Sequence, residues 1–276
     1  GRIRNLSKIS NEYFKYITKF SVITGTDKDD YFEIERRANG TTNVTGYRIK
    51  KGKKAAIFHQ KNYHSKSTKE IWIYGLDDTD TFKVFGEQPA ELFVRIIGGQ
   101  NNDVYNILHG HRVKIYDYKT KKNTFLTTKG RKKLTDSYDT NVYDYKKLKY
   151  NTTKVLPTFA INPDDGLKLG IQGVFTKYGF NRNPFTSQYT VETSYYFATD
   201  GFEIKLTSEF AHIFGRWNFG VEAEFTSPNY NVNFFGFGNQ TTNQNFVDGT
   251  SYSQNYNRVK LRKNSVATYF IWRGAL

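Results

Sequence analysis

The sequence predicts an all-β protein built in two parts, with a boundary near residue 150. Three observations lead to this prediction. Aromatic residues make up 17% of the chain, including 21 Tyr and 23 Phe, and such residues favour strands. A turn-and-strand pattern recurs in the first part, and a regular alternation of apolar and polar residues begins after Gly166. We therefore expect short strands in residues 1–150 and long antiparallel strands in residues 151–276.

Composition excludes several classes of protein. The 276 residues contain no run of about 18 apolar residues, as a transmembrane helix would require. The absence of cysteine excludes disulfides and thiolate metal sites. A net charge of +15 suits partners such as nucleic acid or anionic lipid. Because the chain has no methionine and no signal-peptide pattern, we interpret it as a fragment of a longer protein.

A weak internal repeat organises the first part. One pattern starts at Gly25, Gly75 and Gly98: a glycine, four residues, an aspartate, any residue, an aromatic, any residue and an aliphatic. Each copy predicts a polar turn that leads into a strand. The uneven spacing argues against a regular solenoid and favours a rolled sheet with insertions. Residues 1–20 fit a helix or a strand equally well. The other candidate strands form a predicted meander: Gly46–Lys50, Ala55–His59, Glu70–Tyr74, Leu92–Ile97 and Val113–Tyr118.

The first part offers no convincing catalytic or metal site. The run GGQNNDVYN from Gly98 resembles the calcium-binding nonapeptide of RTX β-rolls. However, Asn101 replaces an inner glycine, Tyr105 replaces an aliphatic residue, and tandem copies are lacking, so a tight turn is favoured over calcium. For His109 and His111 an exposed turn is favoured over a ligand pair. No hydrolase, P-loop or dinucleotide motif occurs, and we predict no catalytic, cofactor-binding or metal residue and no cofactor.

Lysines and tyrosines crowd the segment from Arg112 to Lys154. A mixture of this kind is typical of single-strand nucleic-acid binders, and it also occurs in solvated linkers. The linker interpretation is favoured, because basic and aromatic residues commonly lie at the lipid headgroups beside membrane strands. Nucleic acid is therefore the less favoured partner.

The second part predicts a series of hairpins. A predicted turn at Asn162–Gly166 separates the basic, polar first part from the alternating second part. Strands are expected over 167–176, 188–197, 202–210 and 218–225. The connecting turns are expected at 181–184, at Asp200-Gly201 as a two-residue hairpin, and at Gly215-Arg216. Each strand has one apolar face and one polar face. The polar face carries Glu192, Glu203, Lys205, Glu209, Glu222 and Glu224.

Alternation alone fits either a soluble sandwich or a membrane β-barrel. Strands of about 9–13 residues with aromatic ends, joined one after another, favour the barrel. The apolar face would then contact outer-membrane lipid and the charged face would line a wet lumen.

Two motifs carry a resemblance to a known family. LPTFAINPDDGLKLGIQGVF from Leu156 and NFFGFGNQT from Asn233 resemble BamA/TamA-like outer-membrane proteins of the bacterial surface antigen superfamily, in the form found in Bacteroidota. The stretches from Trp72, Val94 and Val113 resemble the region before the barrel in fusions with a calcineurin-like metallophosphoesterase.

The resemblance implies a β-rich periplasmic connector over 1–150 and the first strands of an incomplete up-and-down transmembrane barrel over 151–276. About five strands are expected, ending at Arg258–Leu261, and the tail from Tyr269 fits the family poorly. The implied role is a non-catalytic membrane segment linked to outer-membrane protein assembly or translocation, with periplasmic or outer-membrane protein partners and a phosphoesterase domain upstream in the parent. The alternative is a soluble all-β module that binds nucleic acid or a polyanionic glycan.

Overall fold

The computed structural model describes residues 2–87, 91–162, 166–180, 184–238, 246–247, 251–252 and 258–272. The chain divides into two compact units, residues 1–147 and 148–276. Both units are built mainly from β-strands, as the composition predicts. The division falls three residues before the predicted boundary.

The first unit is a parallel β-roll preceded by a helix. Residues that fitted a helix or a strand equally well form the helix, 16 residues long. The elements are α1 Arg2–Ile17, β1 Phe20–Thr24, β2 Asp30–Arg36, β3 Thr41–Lys50, β4 Lys53–His64, β5 Glu70–Leu76, β6 Thr81–Gly86, β7 Phe93–Gly99, β8 Val104–Ile107, β9 Val113–Asp117, β10 Thr124–Thr128, β11 Arg131–Leu134 and α2 Tyr138–Asn141.

Successive strands of the roll alternate between two sheets. Sheet A has the order β1-β5-β7-β9-β11, and all of its strands are parallel. Sheet B has the order β10-β8-β6-β2-β3-β4, in which β3 and β4 form an antiparallel insertion after β2. All five candidate strands are present, but the predicted meander is wrong. The first unit is instead a rolled sheet with an insertion, the arrangement that the repeat favoured. The turn-and-strand copies stack in register and do not fold back on each other.

The repeated aspartates form a ladder at the turns from sheet A to sheet B. The backbone N–H of Asp30 donates to Oδ1 of Asp80, and the N–H of Asp80 donates to Oδ1 of Asp103, both at 2.8 Å. A glycine lies five residues before each of these aspartates because a larger residue would not fit at that position. A Cβ at Gly75 or Gly98 would overlap the carboxyl group of the aspartate that follows it. The ladder therefore joins consecutive coils by side chain to backbone bonds.

A fourth copy of the repeat completes the ladder. The N–H of Asp103 donates to Oδ1 of Asn123 at 2.8 Å, so Asn123 occupies the aspartate position of the last coil. Asp117, the last residue of β9, stands in the position of the glycines, and the turn is one residue longer than in the other copies. The sequence pattern missed this copy because both of its defining residues differ.

The aromatic residues of the repeat stack along the core. Phe32, Phe82, Tyr105 and Phe125 are paired in register on neighbouring strands. Their ring centroids lie 5.3, 5.5 and 5.1 Å apart, with interplanar angles of 15° or less. The first three rings are fully buried. Aliphatic residues from both sheets surround the stack and close the core of the first unit.

Residues after β11 pack on the outer face of sheet A. Helix α2 contacts β7 and β9, and the Tyr143 ring lies 5.3 Å from that of Tyr74. Tyr74 and Tyr116, both on this outer face, are buried. Burial lowers the pKa of Lys147 to about 8. Interpreting the whole of Arg112–Lys154 as a solvated linker is therefore wrong, since much of it belongs to the packed first unit.

The second unit is an antiparallel sheet with a long excursion before its last strand. Its strands are β12 Thr152–Asn162, β13 Gly166–Lys177, β14 Ser187–Tyr196, β15 Gly201–Phe214, β16 Trp217–Thr226, β17 Tyr230–Asn233, β18 Phe246–Val247, β19 Ser251–Tyr252, β20 Arg258–Leu261 and β21 Asn264–Trp272. The main sheet has the order β12-β13-β14-β15-β16-β21. The pairs β17-β20 and β18-β19 form two small ribbons.

The structure changes three details of the predicted hairpins. The turn at Asn162–Gly166 lies inside a hairpin, because β12 precedes it and Asn162 pairs with Gly166; residues 163–165 themselves are outside the described residues. The last strand of the sheet is β21, and Arg258–Leu261 instead pairs with β17.

The other predicted turns have different outcomes. Tyr196 pairs with Gly201, so the turn at Asp200 has four residues instead of the predicted two. The two-residue turn at Gly215-Arg216 is confirmed, because Phe214 pairs with Trp217. The predicted turn at 181–184 falls largely outside the described residues.

Candidate functional site

The main sheet of the second unit has an apolar face that nothing covers in the described part of the chain. Alternation along each strand places the predicted apolar residues on one side, and the pairing brings them into rows across the sheet. Phe159 and Ile161 are each 82% exposed, and Phe270 is 55% exposed. A water-exposed apolar surface of this extent is unusual and indicates an interaction with lipid or protein.

Aliphatic and small residues occupy the middle of this face. One row across the sheet pairs Gly173, Val191, Leu206, Ala223 and Val266. The neighbouring rows add Ile171, Ile204 and Val221 to the same region. This middle band therefore contains no charged residue on the apolar face.

Aromatic residues flank the middle band at both ends of the strands. At the Gly215 end, Trp217 packs on Trp272 at 5.1 Å and Phe219 packs on Phe270 at 5.3 Å between ring centroids. At the opposite end, Tyr195 packs on Phe197, also at 5.1 Å, and Phe202 pairs with Tyr195. Two aromatic bands enclose an aliphatic centre.

The spacing of the bands has a physical meaning. On β15 the two bands are represented by Phe202, which pairs with Tyr195, and Phe210, which pairs with Phe219; they are eight residues apart. This separation corresponds to about 27 Å along a strand at 3.4 Å per residue. With the strand tilt of about 40° that is typical of membrane barrels, the depth is about 21 Å, near the apolar band of about 25 Å in such proteins.

The opposite face of the same sheet is polar and carries an ion-pair network. Glu203 accepts hydrogen bonds from Lys168 at 2.9 Å and from the Tyr196 hydroxyl at 2.7 Å. The Lys205 ammonium lies 2.7 Å from the same carboxylate, and Lys168 also approaches Glu192 at 3.7 Å.

The network continues across the sheet. Lys263 donates to Glu224 at 2.8 Å, and Asn218 donates to Glu209 at 2.6 Å. Register pairs Glu192 with Lys205 and Lys205 with Glu224. The charged residues predicted to share a face therefore do share it, and opposite charges alternate across three strands.

The two faces of the sheet require different surroundings. The polar face needs water or polar partners, because carboxylates and ammonium groups are costly to transfer into an apolar medium. The apolar face needs an apolar solvent or a covering layer. Both outer edges of the sheet, on β12 and β21, lack a paired strand within the described residues.

The motif NFFGFGNQT lies in the excursion between β16 and β21, and its residues 239–241 fall outside the described part. Phe234, Phe235 and Phe237 are exposed, and the rings of Phe234 and Phe237 are 5.3 Å apart. Gly236 and Gly238 both have positive φ, at 95° and 96°, a conformation that favours glycine.

The aspartate turns have a structural role in the roll. Asp103, the residue that fitted the calcium pattern, accepts the backbone N–H of Asp80, and its carboxyl group is buried. Among the described residues no group of three His, Cys, Asp or Glu side chains is arranged to hold a metal ion. His111 is exposed at a turn in which the N–H of Val113 donates to the carbonyl of Gly110.

Burial raises the pKa of the ladder carboxyl groups. Desolvation and the nearby Asp103 raise the pKa of Asp80 to about 9, and desolvation and Asp117 raise that of Asp103 to about 8. Burial raises the pKa of Asp117 to about 6, although the Tyr105 hydroxyl donates to it at 2.5 Å. The neutral carboxyl form is thus favoured within the ladder.

Comparison of the chain with known protein families, with curated proteins and with solved structures gives no match in any of the three. No helix in the described part of the chain is long and apolar enough to cross a membrane.

Proposed function

We propose that the second unit is a non-catalytic, membrane-spanning segment of an outer-membrane β-barrel. Its apolar face would contact lipid acyl chains, and the face carrying Glu192, Glu203 and Lys205 would line a wet interior. The observation that carries the proposal is the aliphatic band between two aromatic bands on an exposed sheet face. Tyr and Trp are enriched at both interfaces of a bilayer, and this arrangement matches that preference.

The open edges of the sheet fit the same proposal. Unpaired strand edges are costly in lipid, and a membrane barrel has none. The proposal therefore requires further strands next to β12 and β21, supplied by other parts of a longer chain.

Connectivity supports a direction for the sheet. The chain enters β12 at Thr152, at the end where the two-residue turn Gly215-Arg216 lies. The long excursion from residue 227 to residue 263 leaves the opposite end. Outer-membrane barrels have short periplasmic turns and long external loops. We place the first unit in the periplasm on this ground, as a connector before the membrane segment.

The wider role rests on the resemblance of the motifs alone. It extends the proposal to outer-membrane protein assembly or translocation, with protein partners in the periplasm or outer membrane. A calcineurin-like phosphoesterase domain would precede the connector in the parent protein. No residue of this chain takes part in that chemistry.

Lysine substitution on the two faces tests the membrane proposal. The change V191K/L206K puts two charges in the middle of the apolar face, at about 2–4 kcal/mol each if that face is in lipid. The matched change T190K/T207K puts the same charges on the polar face of the same paired strands. We expect the full-length protein to be extracted from membranes only by detergent, and V191K/L206K alone to abolish insertion. A full-length protein that is soluble without detergent would refute the proposal.

The alternative function is polyanion binding by Arg112–Lys154. Stacking of nucleic-acid bases needs exposed aromatic rings. Tyr116 is buried and Tyr143 packs on Tyr74, whereas Tyr138 and Tyr145 are exposed. The basic residues of the same segment remain accessible, and they carry the inference below.

A further inference from the structure

The last coil of the roll concentrates positive charge. Residues 112–133 contain nine Lys or Arg residues and one acidic residue, Asp117. Asp117 does not neutralise them, because it is buried and accepts the Tyr105 hydroxyl. The charge of this coil is therefore directed toward solvent.

Three of these cations form a cluster on the outer face of sheet A. Lys114 pairs in register with Arg131 on the adjacent strand, and Lys133 follows two residues later on the same side. Neighbouring strands are about 4.8 Å apart, so the three side chains emerge within one small area. We call Lys114, Arg131 and Lys133 the basic edge.

The basic edge has no internal counter-ion in the described residues. The ion pairs of the first unit involve other cations: Lys28, Arg37, Arg48, Lys54 and Arg95. Arg95 lies beside Lys114 in the sheet and forms its ion pair with Glu70. Burial, together with repulsion from Arg95, Lys133 and Arg131, lowers the pKa of Lys114. An external anion would relieve this repulsion.

We propose that the basic edge binds the phosphate groups of anionic lipids at the membrane surface. This inference rests on the proposed function, because the membrane strand β12 begins soon after the last coil. Lipid phosphates fit the site for two reasons. Tyr116, which pairs with Lys133 on the same face, is buried and cannot stack on a nucleic-acid base, and a basic residue near an anionic bilayer contributes about 1 kcal/mol of attraction.

Mixed micelles test the proposal with the full chain. The protein is held in a neutral detergent, and binding to added short-chain phosphatidylglycerol is compared with binding to phosphatidylcholine. The variant K114Q/R131Q/K133Q is expected to bind phosphatidylglycerol about 100-fold more weakly, from three contributions of about 1 kcal/mol and tenfold per 1.4 kcal/mol. The control K50Q/K51Q/K53Q removes three exposed charges from the β3–β4 turn and is expected to change affinity less than threefold.

The outcomes separate the two proposals. Equal weakening by both triple variants, equal binding of the two lipids, or stronger binding of an oligothymidylate than of phosphatidylglycerol would overturn the lipid-phosphate assignment. Each of these results leaves the membrane sheet intact as a proposal. Conversely, a protein that is soluble without detergent refutes the membrane sheet, and lipid binding by the basic edge is then measured with vesicles of the same lipids.

Discussion

Replacing Asp80 by asparagine is expected to remove much of the pH dependence of the first unit. Oδ1 of Asp80 accepts the N–H of Asp30, while its Oδ2 is buried and has no hydrogen-bond partner among the described residues. Burial and the neighbouring Asp103 raise the pKa of Asp80 to about 9. An asparagine keeps the acceptor and is neutral at every pH, as Asn123 already is in the last coil.

The sign and size of the effect follow from linkage. An unfolded aspartate ionises near pH 3.9. Below that pH the folded and unfolded chains both hold the proton, and the full stability is present. Between about pH 4 and pH 9 only the unfolded chain ionises, so stability falls by as much as about 1.4 kcal/mol per pH unit. Asp103, whose pKa is raised to about 8, acts in the same direction.

Urea unfolding of the full chain measures this effect. Trp72 lies in the first unit, and the change W217F/W272F makes it the only tryptophan. We expect D80N to equal the parent near pH 4.5 and to exceed it by several kcal/mol at pH 9. The control D80A leaves the N–H of Asp30 unpaired and is expected to cost about 1–3 kcal/mol at both pH values. Identical pH slopes for D80N and the parent, or equal destabilisation by D80N and D80A, would refute this account of the ladder.

Three further predictions concern the core, a tightly packed glycine of β7 and the direction of the sheet. Phe82→Ala is expected to destabilise the first unit by about 3–5 kcal/mol, because the ring is buried and stacked on both sides; the outward Lys83→Ala on the same strand should change stability little, and equal effects of the two would contradict the stack. Gly98→Ala is expected to cost about 1–3 kcal/mol by overpacking, since its Cβ would overlap neighbouring side chains; an unchanged unfolding midpoint would count against this. Single cysteines at Arg216 and Phe237, in a chain without native cysteine, should react with a membrane-impermeant maleimide from opposite sides of the bilayer, and labelling of both from one side would contradict the proposed direction.

Local pattern predicted the strands well, because side-chain alternation is a local property. The apolar and polar faces of β13 to β16 follow from period two alone, and the strand pairing keeps each set of residues on one side of the sheet. Strand β12 was missed because Pro157 interrupts its pattern. A proline is compatible with a strand that has no neighbour on one side, and edge position is not visible in a single sequence.

Long-range pairing limited the prediction of the roll. The three glycine and aspartate copies were visible, but the parallel stacking depends on bonds between residues 50 and 23 positions apart, such as those of Asp30 to Asp80 and Asp80 to Asp103. The insertion β3–β4 explains the longer spacing. The fourth copy was hidden because Asn123 replaces the aspartate and Asp117 replaces the glycine. Treating Asp and Asn alike would not have found it, since the glycine is absent and the turn is one residue longer.

The ion-pair network could be predicted only in part. The sequence placed Glu203 and Lys205 on one face, but the contact of Glu203 with Lys168 crosses 35 residues and depends on register. The bands of aromatic residues likewise emerge only once the strands are aligned. They bring together residues from distant hairpins, such as Trp217 and Trp272.

Depth-dependent fluorescence quenching tests the central claim most directly. Single cysteines at Leu206 and Thr207, neighbours on β15 that point to opposite faces, are labelled with an environment-sensitive fluorophore in the full-length protein reconstituted into vesicles. Acyl-chain brominated lipids should quench the label at Leu206 strongly and leave the label at Thr207 accessible to aqueous iodide. Equal quenching of both positions by iodide, with no effect of the brominated lipids, would contradict the claim that the apolar face lies in lipid.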